Sequence, residues 1–192
     1  MAYLILGLIL FLGVHSVRIV ADDWRTRTRS RIGEMQWKGL YSVASLIGFG
    51  LLVWGFSLAR QQPLQLWNPP IAMRHLASLL TLVSFILLAA AYVPGNSIKA
   101  VLHHPMVLSA KVWAMAHLLA NGNLAHLLLF GSILLWAVLD FTAARRRDRT
   151  AGTSYRPGSA GATAVTVIAG LAGWIVFALW LHGWLIGVRP LG

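Results

Sequence analysis

The stretch His104-Pro105-Met106-Val107-Leu108-Ser109-Ala110-Lys111-Val112-Trp113-Ala114-Met115-Ala116-His117-Leu118-Leu119-Ala120-Asn121-Gly122 decides the class of this protein. It reads as an apolar helix, Pro105 to Ala120, with two histidines, a lysine, a tryptophan and an asparagine in or beside it. Hydrocarbon cannot solvate such groups, so inside a membrane helix they are rare and mark function. Pro105 stands at the first helical position, where its missing N–H costs nothing. Asn121-Gly122-Asn123 predicts a tight turn into the next helix.

Working outward, the same apolar composition recurs in Ala2 to Val20, Trp37 to Ala59, Arg74 to Tyr92, Leu124 to Thr142 and Ala162 to Ile186. Loops separate them: Gln61 to Pro70 with three prolines, the turn Pro94-Gly95-Asn96, the short connection Lys99 to His104, and Arg145 to Gly161. The chain is 58% hydrophobic and 11% charged, against roughly 25% charged in ordinary soluble domains. The expectation is an all-α, polytopic transmembrane helical bundle of about six helices, one domain over residues 1–192. Met1 to Val20 lacks a basic start and a small-residue cleavage site, so it reads as a retained first helix and not a signal peptide.

Charge sets the orientation. The net charge is +11, which in a soluble chain would suggest nucleic acid. Here the lysines and arginines cluster in the loops after the first, third and fifth helices, and only Arg60, Arg74 and Arg189 fall on the other side. That is the positive-inside pattern beside anionic lipid, so nucleic acid is set aside and membrane lipid is the surrounding partner. It places the chain in the bacterial inner (cytoplasmic) membrane with both termini periplasmic.

The absence of cysteine excludes disulfides, iron–sulfur clusters, thiolate ligation and covalent haem attachment. With five carboxylates, all expected in or near loops, a carboxylate-rich metal site is excluded as well. No nucleophile triad, phosphate-binding loop or zinc-helix motif is present. What remains is histidine. His15 shares a helix face with Arg18, three residues on. His117 shares one with Trp113, Ala110 and Met106, while Lys111 points elsewhere. Arg18 and Lys111 have plain explanations as snorkelling anchors. His75, His126 and His182 fall near outer helix ends, where histidine is tolerated. Trp24, Trp37, Trp67, Trp180 and Trp184 fit an interfacial belt; Trp113, one turn from His117, does not. Imidazole suits iron or copper, and a flat macrocycle fits between apolar helices, so histidines on different helices suggest a haem site.

Several separated motifs then point to a family. Leu12-Gly13-Val14-His15-Ser16-Val17-Arg18, Lys38-Gly39-Leu40-Tyr41-Ser42, and His104-Pro105 with Lys111-x-Trp113-x-x-x-His117-x-x-x-Asn121-Gly122 resemble the NnrU family of integral membrane proteins over nearly the whole chain. That resemblance implies a link to the expression of nitrite and nitric oxide reductases in denitrification. It also implies kinship with the plant 15-cis-zeta-carotene isomerase, a membrane enzyme associated with haem b. Its two ligand histidines fall on His15 and His117; in a haem reading Arg18 or Lys111 would neutralise the propionates from the cytoplasmic side, and Trp113 would lie beside the cofactor, one turn from His117. Its nearby cysteine, proposed as an alternative ligand, falls on Ala114. The partners so implied are nitric oxide or a carotenoid-like isoprenoid, and a second membrane protein or a second copy of the chain. Three functions follow: a haem-binding redox protein, a cis-trans isomerase, or a non-enzymatic membrane partner.

Depth constrains the ligand pair. His15 lies near the cytoplasmic end of its helix and His117 near the outer end of its own. At ~1.5 Å per residue in a core ~30 Å thick, that separates them by something like 15 Å, unless the hairpin of the fourth and fifth helices is sunk into the bundle. His15 with His104, or His75 with His117 or His126, would match in depth without sinking.

Overall fold

The computed structural model describes residues 1–191. Among the described residues, nine α-helices run in the order α1 Ala2–Val20, α2 Asp22–Ile32, α3 Glu34–Ala59, α4 Ile71–Tyr92, α5 Ser97–Leu102, α6 Pro105–Ala120, α7 Leu124–Ala151, α8 Ala160–Val176 and α9 His182–Ile186. A π-helical turn, Phe177–Leu181, joins α8 to α9. Five spans are long and apolar enough to cross a membrane: α1, α3, α4, α7 and the continuous Ala160–Ile186. The sixth predicted helix, α6, has 16 residues, about 24 Å of rise, and falls short of that length.

In space the long helices stand in the order α3, α1, α7, α6, α4, α8. The core lies between α1, α3, α6 and α7, where Leu4, Leu8, Leu52, Ala114, Ala125, Leu129 and Phe130 are buried together. Lipid offers little hydrophobic gain for association of apolar helices, so close backbone approach has to supply it. The α1–α3 seam does this with glycine: a Cβ on Gly48 would lie 2.7 Å from the Phe11 amide nitrogen. Gly7 and Gly55 meet Leu52 and Leu4 in the same way. On the other flank, Ser84 Oγ reaches the Ser109 carbonyl and hydroxyl at 3.0 Å each, tying α4 to α6. Trp174 donates its indole N–H to Thr81 at 3.1 Å, tying α8 to α4.

Helices α3 and α4 each begin three residues before the expected start, and three segments differ more from the sequence expectation. The stretch after α1 is helix α2, bounded by Asp22 and Asp23 in its first turn and Arg29 and Arg31 in its last, charges that suit the helix dipole. The connection after Pro94-Gly95-Asn96 is helix α5, capped by the Asn96 side chain accepting from the Lys99 amide at 2.7 Å. The fifth predicted helix does not stop at Thr142. It runs on as α7 through Arg145–Arg149 and ends where Gly152 adopts φ +61.

The α6–α7 turn is tucked beneath the 61–70 loop. Leu66 and Trp67 donate backbone N–H bonds to the Gly122 carbonyl at 2.8 and 3.1 Å, and Leu124 donates to Leu64 at 2.9 Å. A side chain at 122 would collide with the Trp67 carbonyl, which explains the glycine.

Candidate functional site

The basic end of α1, α3, α6 and α7 encloses a cavity of about 620 Å³, with α2 beside it. Its apolar wall comes from Val14, Val17, Val107, Ala110 and Trp136. Its rim carries Arg18, Arg25, Arg29, Lys38 and Arg147, and its carboxylates are Glu34, Asp140 and Asp148. Asp22 pairs with Arg18 at 4.0 Å and Arg25 at 3.7 Å, adding a fourth carboxylate behind the rim. The rim therefore stays net positive. The carboxylates were expected in or near loops; all five lie in helices, Asp22 and Asp23 in α2, Glu34 in α3, and Asp140 and Asp148 in α7, whose continuation past Thr142 brings Asp148 to the cavity.

His15 lines this cavity. Its Nδ1 donates to the Phe11 carbonyl one turn back at 2.7 Å, which leaves Nε2 with its lone pair. Tyr41 and Trp136 meet the ring edge-on, with centroids at 5.3 and 5.9 Å. A backbone carbonyl on Nδ1 that fixes the tautomer is the usual support of a ligating histidine. His104 lines the same cavity, but the pattern is reversed. Its Nε2 donates to Asp148 Oδ2 at 2.8 Å, which also accepts from the Tyr155 hydroxyl at 3.0 Å. The nitrogen that haem proteins use as a ligand is thus committed to a carboxylate.

His117 shows the same donor pattern as His15, with Nδ1 donating to the Trp113 carbonyl at 2.8 Å. It is not at the cavity. Its ring stacks on Phe130 at 4.5 Å, with Trp113 at 4.7 Å. Phe130 lies six residues, about 9 Å of helix rise, before Trp136 on α7, so the two histidines meet α7 at different depths. The tucked hairpin reduces the offset expected from sequence without removing it.

Among the remaining expected site residues, Arg18 stands at the rim, while Lys111 and Trp113 are not part of the cavity wall. Ala114, at the cysteine position of the resemblance, is fully buried. His126 packs on Phe56 at 5.1 Å and its Nδ1 meets Asn123 Oδ1 at 2.6 Å, so it belongs to the His117 cluster. His75 is exposed. No group of three or more metal-ligating side chains occurs among the described residues.

The sequence reading passed over Trp136, Asp140, Asp148 and Tyr155. Asp140 and Asp148 did carry a signal, since they are the two acids in the region of α7 and lie eight residues apart, near one helix face.

A family model described as NnrU protein matches residues 3–190, through the His15 and His117 motifs alike. The chain belongs to the NnrU family. No curated protein and no solved structure matches it. The cavity of this NnrU chain can accommodate haem b on three counts. It offers one histidine with a free Nε2, an apolar wall for a macrocycle, and a cationic rim for two propionates. Its volume lies within the 300–1,000 Å³ common for cofactor sites.

Proposed function

We propose that this NnrU protein binds haem b in the cavity at its basic end, with His15 Nε2 as iron ligand, and acts in the nitric oxide physiology that the family resemblance implies. The observation that supports this reading is the His15 ring itself: its Nδ1–H is fixed by the Phe11 carbonyl and it lines a cavity rimmed by five cations. Bound haem would supply a one-electron couple and an iron to which a diatomic gas could bind. The chain's own residues do the rest. Arg18, Arg25 and Arg147 attract propionates, Trp136 and Tyr41 hold the imidazole plane, and Val14, Val17 and Val107 keep water from the apolar wall. In this reading the basic end faces the cytoplasm of a bacterial inner membrane and both termini face the periplasm, because nearly all lysines and arginines gather at that end.

The deciding experiment is the visible spectrum of detergent-purified protein, oxidised and dithionite-reduced, for the wild type, His15→Ala and His117→Ala. A haem b spectrum lost in His15→Ala and kept in His117→Ala supports the assignment. A six-coordinate, low-spin spectrum that His117→Ala converts to high spin would restore the His15–His117 pair. Colourless protein after haem supplementation refutes the reading.

A further inference from the structure

The carboxylates around the cavity differ in one respect. Glu34 is paired with Arg29 at 2.6 Å and Lys38 at 2.8 Å, and Asp140 with Arg147 at 3.8 Å. Asp22 is paired with Arg18 and Arg25. Every one of those partners keeps its charge across the physiological range. Among the described residues, Asp148 alone is partnered by histidine, His104 at 2.8 Å with His103 at 3.9 Å, the side chain type that gains and loses its charge between about pH 5 and 8.

The two adjacent histidines there are not equivalent. The Arg145 guanidinium donates to His103 Nδ1, and that nitrogen lies 3.9 Å from Asp148 Oδ2, outside hydrogen-bond distance. The His103 ring stacks on Tyr155 at 4.0 Å, and its backbone φ of +71 holds it on that side of the junction. His104 has its Nε2 on Asp148 at 2.8 Å and lines the cavity, while Nδ1 has no hydrogen-bond partner among the described residues. The Tyr155 hydroxyl, on the same carboxylate oxygen, fixes Asp148 from the loop side at 3.0 Å.

We propose that His104, oriented by Asp148 and Tyr155, is the proton-exchanging group of this cavity and couples proton uptake to a one-electron change at the His15 site. The inference rests on the haem reading of that site. One electron from an external one-electron reductant removes one unit of positive charge from the cavity. His104 Nδ1 takes one proton from water at the rim, where the Arg18 side chain is 56% exposed, and restores the charge. On oxidation the same proton leaves by the same route. Asp148 keeps Nε2–H in place throughout. His15, the nearest other imidazole of the cavity, has its Nδ1–H committed to the Phe11 carbonyl in both states.

The test is a spectroelectrochemical titration of the haem-loaded protein in detergent between pH 5.5 and 8, with infrared difference spectra of the two redox states. The wild type's midpoint potential falls with rising pH, approaching one proton per electron, and an imidazolium ring band appears on reduction. His104→Gln flattens the dependence and abolishes the band. Asp148→Asn keeps the hydrogen bond without the charge and moves the pH-dependent region to lower pH. His103→Gln leaves both unchanged. A wild type whose midpoint is independent of pH, or a His104→Gln variant with the wild-type slope, overturns this inference and leaves the His15 assignment standing. A protein that takes up no haem removes both.

Discussion

Gly48→Ala tests the packing that holds His15. The added Cβ would lie 2.7 Å from the Phe11 nitrogen and 3.0 Å from its Cα. Both neighbours are backbone, so no side-chain rotation relieves the clash. To reach an ordinary contact of 3.4 Å, α1 must move from α3 by roughly 0.7 Å, the difference from 2.7 Å. Overpacking of this kind costs about 1–3 kcal/mol, against which alanine recovers up to about 1 kcal/mol of helix propensity. The net expectation is a loss of about 1–2 kcal/mol, a five- to thirtyfold shift toward the unfolded state. Phe11 also carries the carbonyl that orients His15, so the haem spectrum should broaden or weaken as well. Gly50→Ala is the control, since a Cβ there meets nothing within 4 Å. Thermal unfolding in detergent, read at one scan rate, compares the two. If Gly48→Ala melts with or above Gly50→Ala and keeps the wild-type spectrum, the reasoning fails.

Two further outcomes are expected. Ser84→Ala removes the buried bond to Ser109 and should cost about 0.6 kcal/mol, the average for hydrogen bonds between membrane helices, and no more than about 1.7 kcal/mol; a double-mutant cycle with Ser109→Ala should show coupling, and additivity would mean the pair is idle. The Tyr155 phenol ionises above its ordinary value near 10, first because it is partly desolvated and then because it donates to the negative Asp148. A neutral phenol with a raised pKa contributes stability that is complete below the unfolded value and is lost as pH rises through the folded one. A difference ultraviolet titration should therefore show a late-ionising tyrosine that Tyr155→Phe removes and Asp148→Asn brings back toward 10; a curve unmoved by either would contradict the contact.

Some of this was legible from residues alone. The bounds of α1 and α6 and the start of α7 follow from apolar length, Pro105 and the Asn123 cap. Helix α2 was missed because Arg25, Arg27, Arg29 and Arg31 alternate with Thr26, Thr28 and Ser30 and show no apolar face. The extension of α7 was missed because hydropathy falls at Ala143–Arg149 although nothing there breaks a helix before Gly152. The tail of that helix beyond Thr142 brings Arg147 and Asp148 to the cavity, so misplacing its end hid that part of the site.

The sequence by itself determined the membrane class, the helical spans, the concentration of positive charge at one end and the family, because those depend on local composition, order and spacing. His15 and His117 were equally good ligands at that level, since each is an inward histidine on an apolar helix. Only the tertiary structure decided between their surroundings. Helix order α3, α1, α7, α6 brings His15, His104, Asp148 and the arginine rim from four separate helices to one cavity, and leaves His117 against Phe130. Depth and azimuth depend on how far helices slide and turn against one another. That is set by contacts such as Gly48 on Phe11 and Trp67 over Gly122, whose partners lie tens of residues apart in the chain.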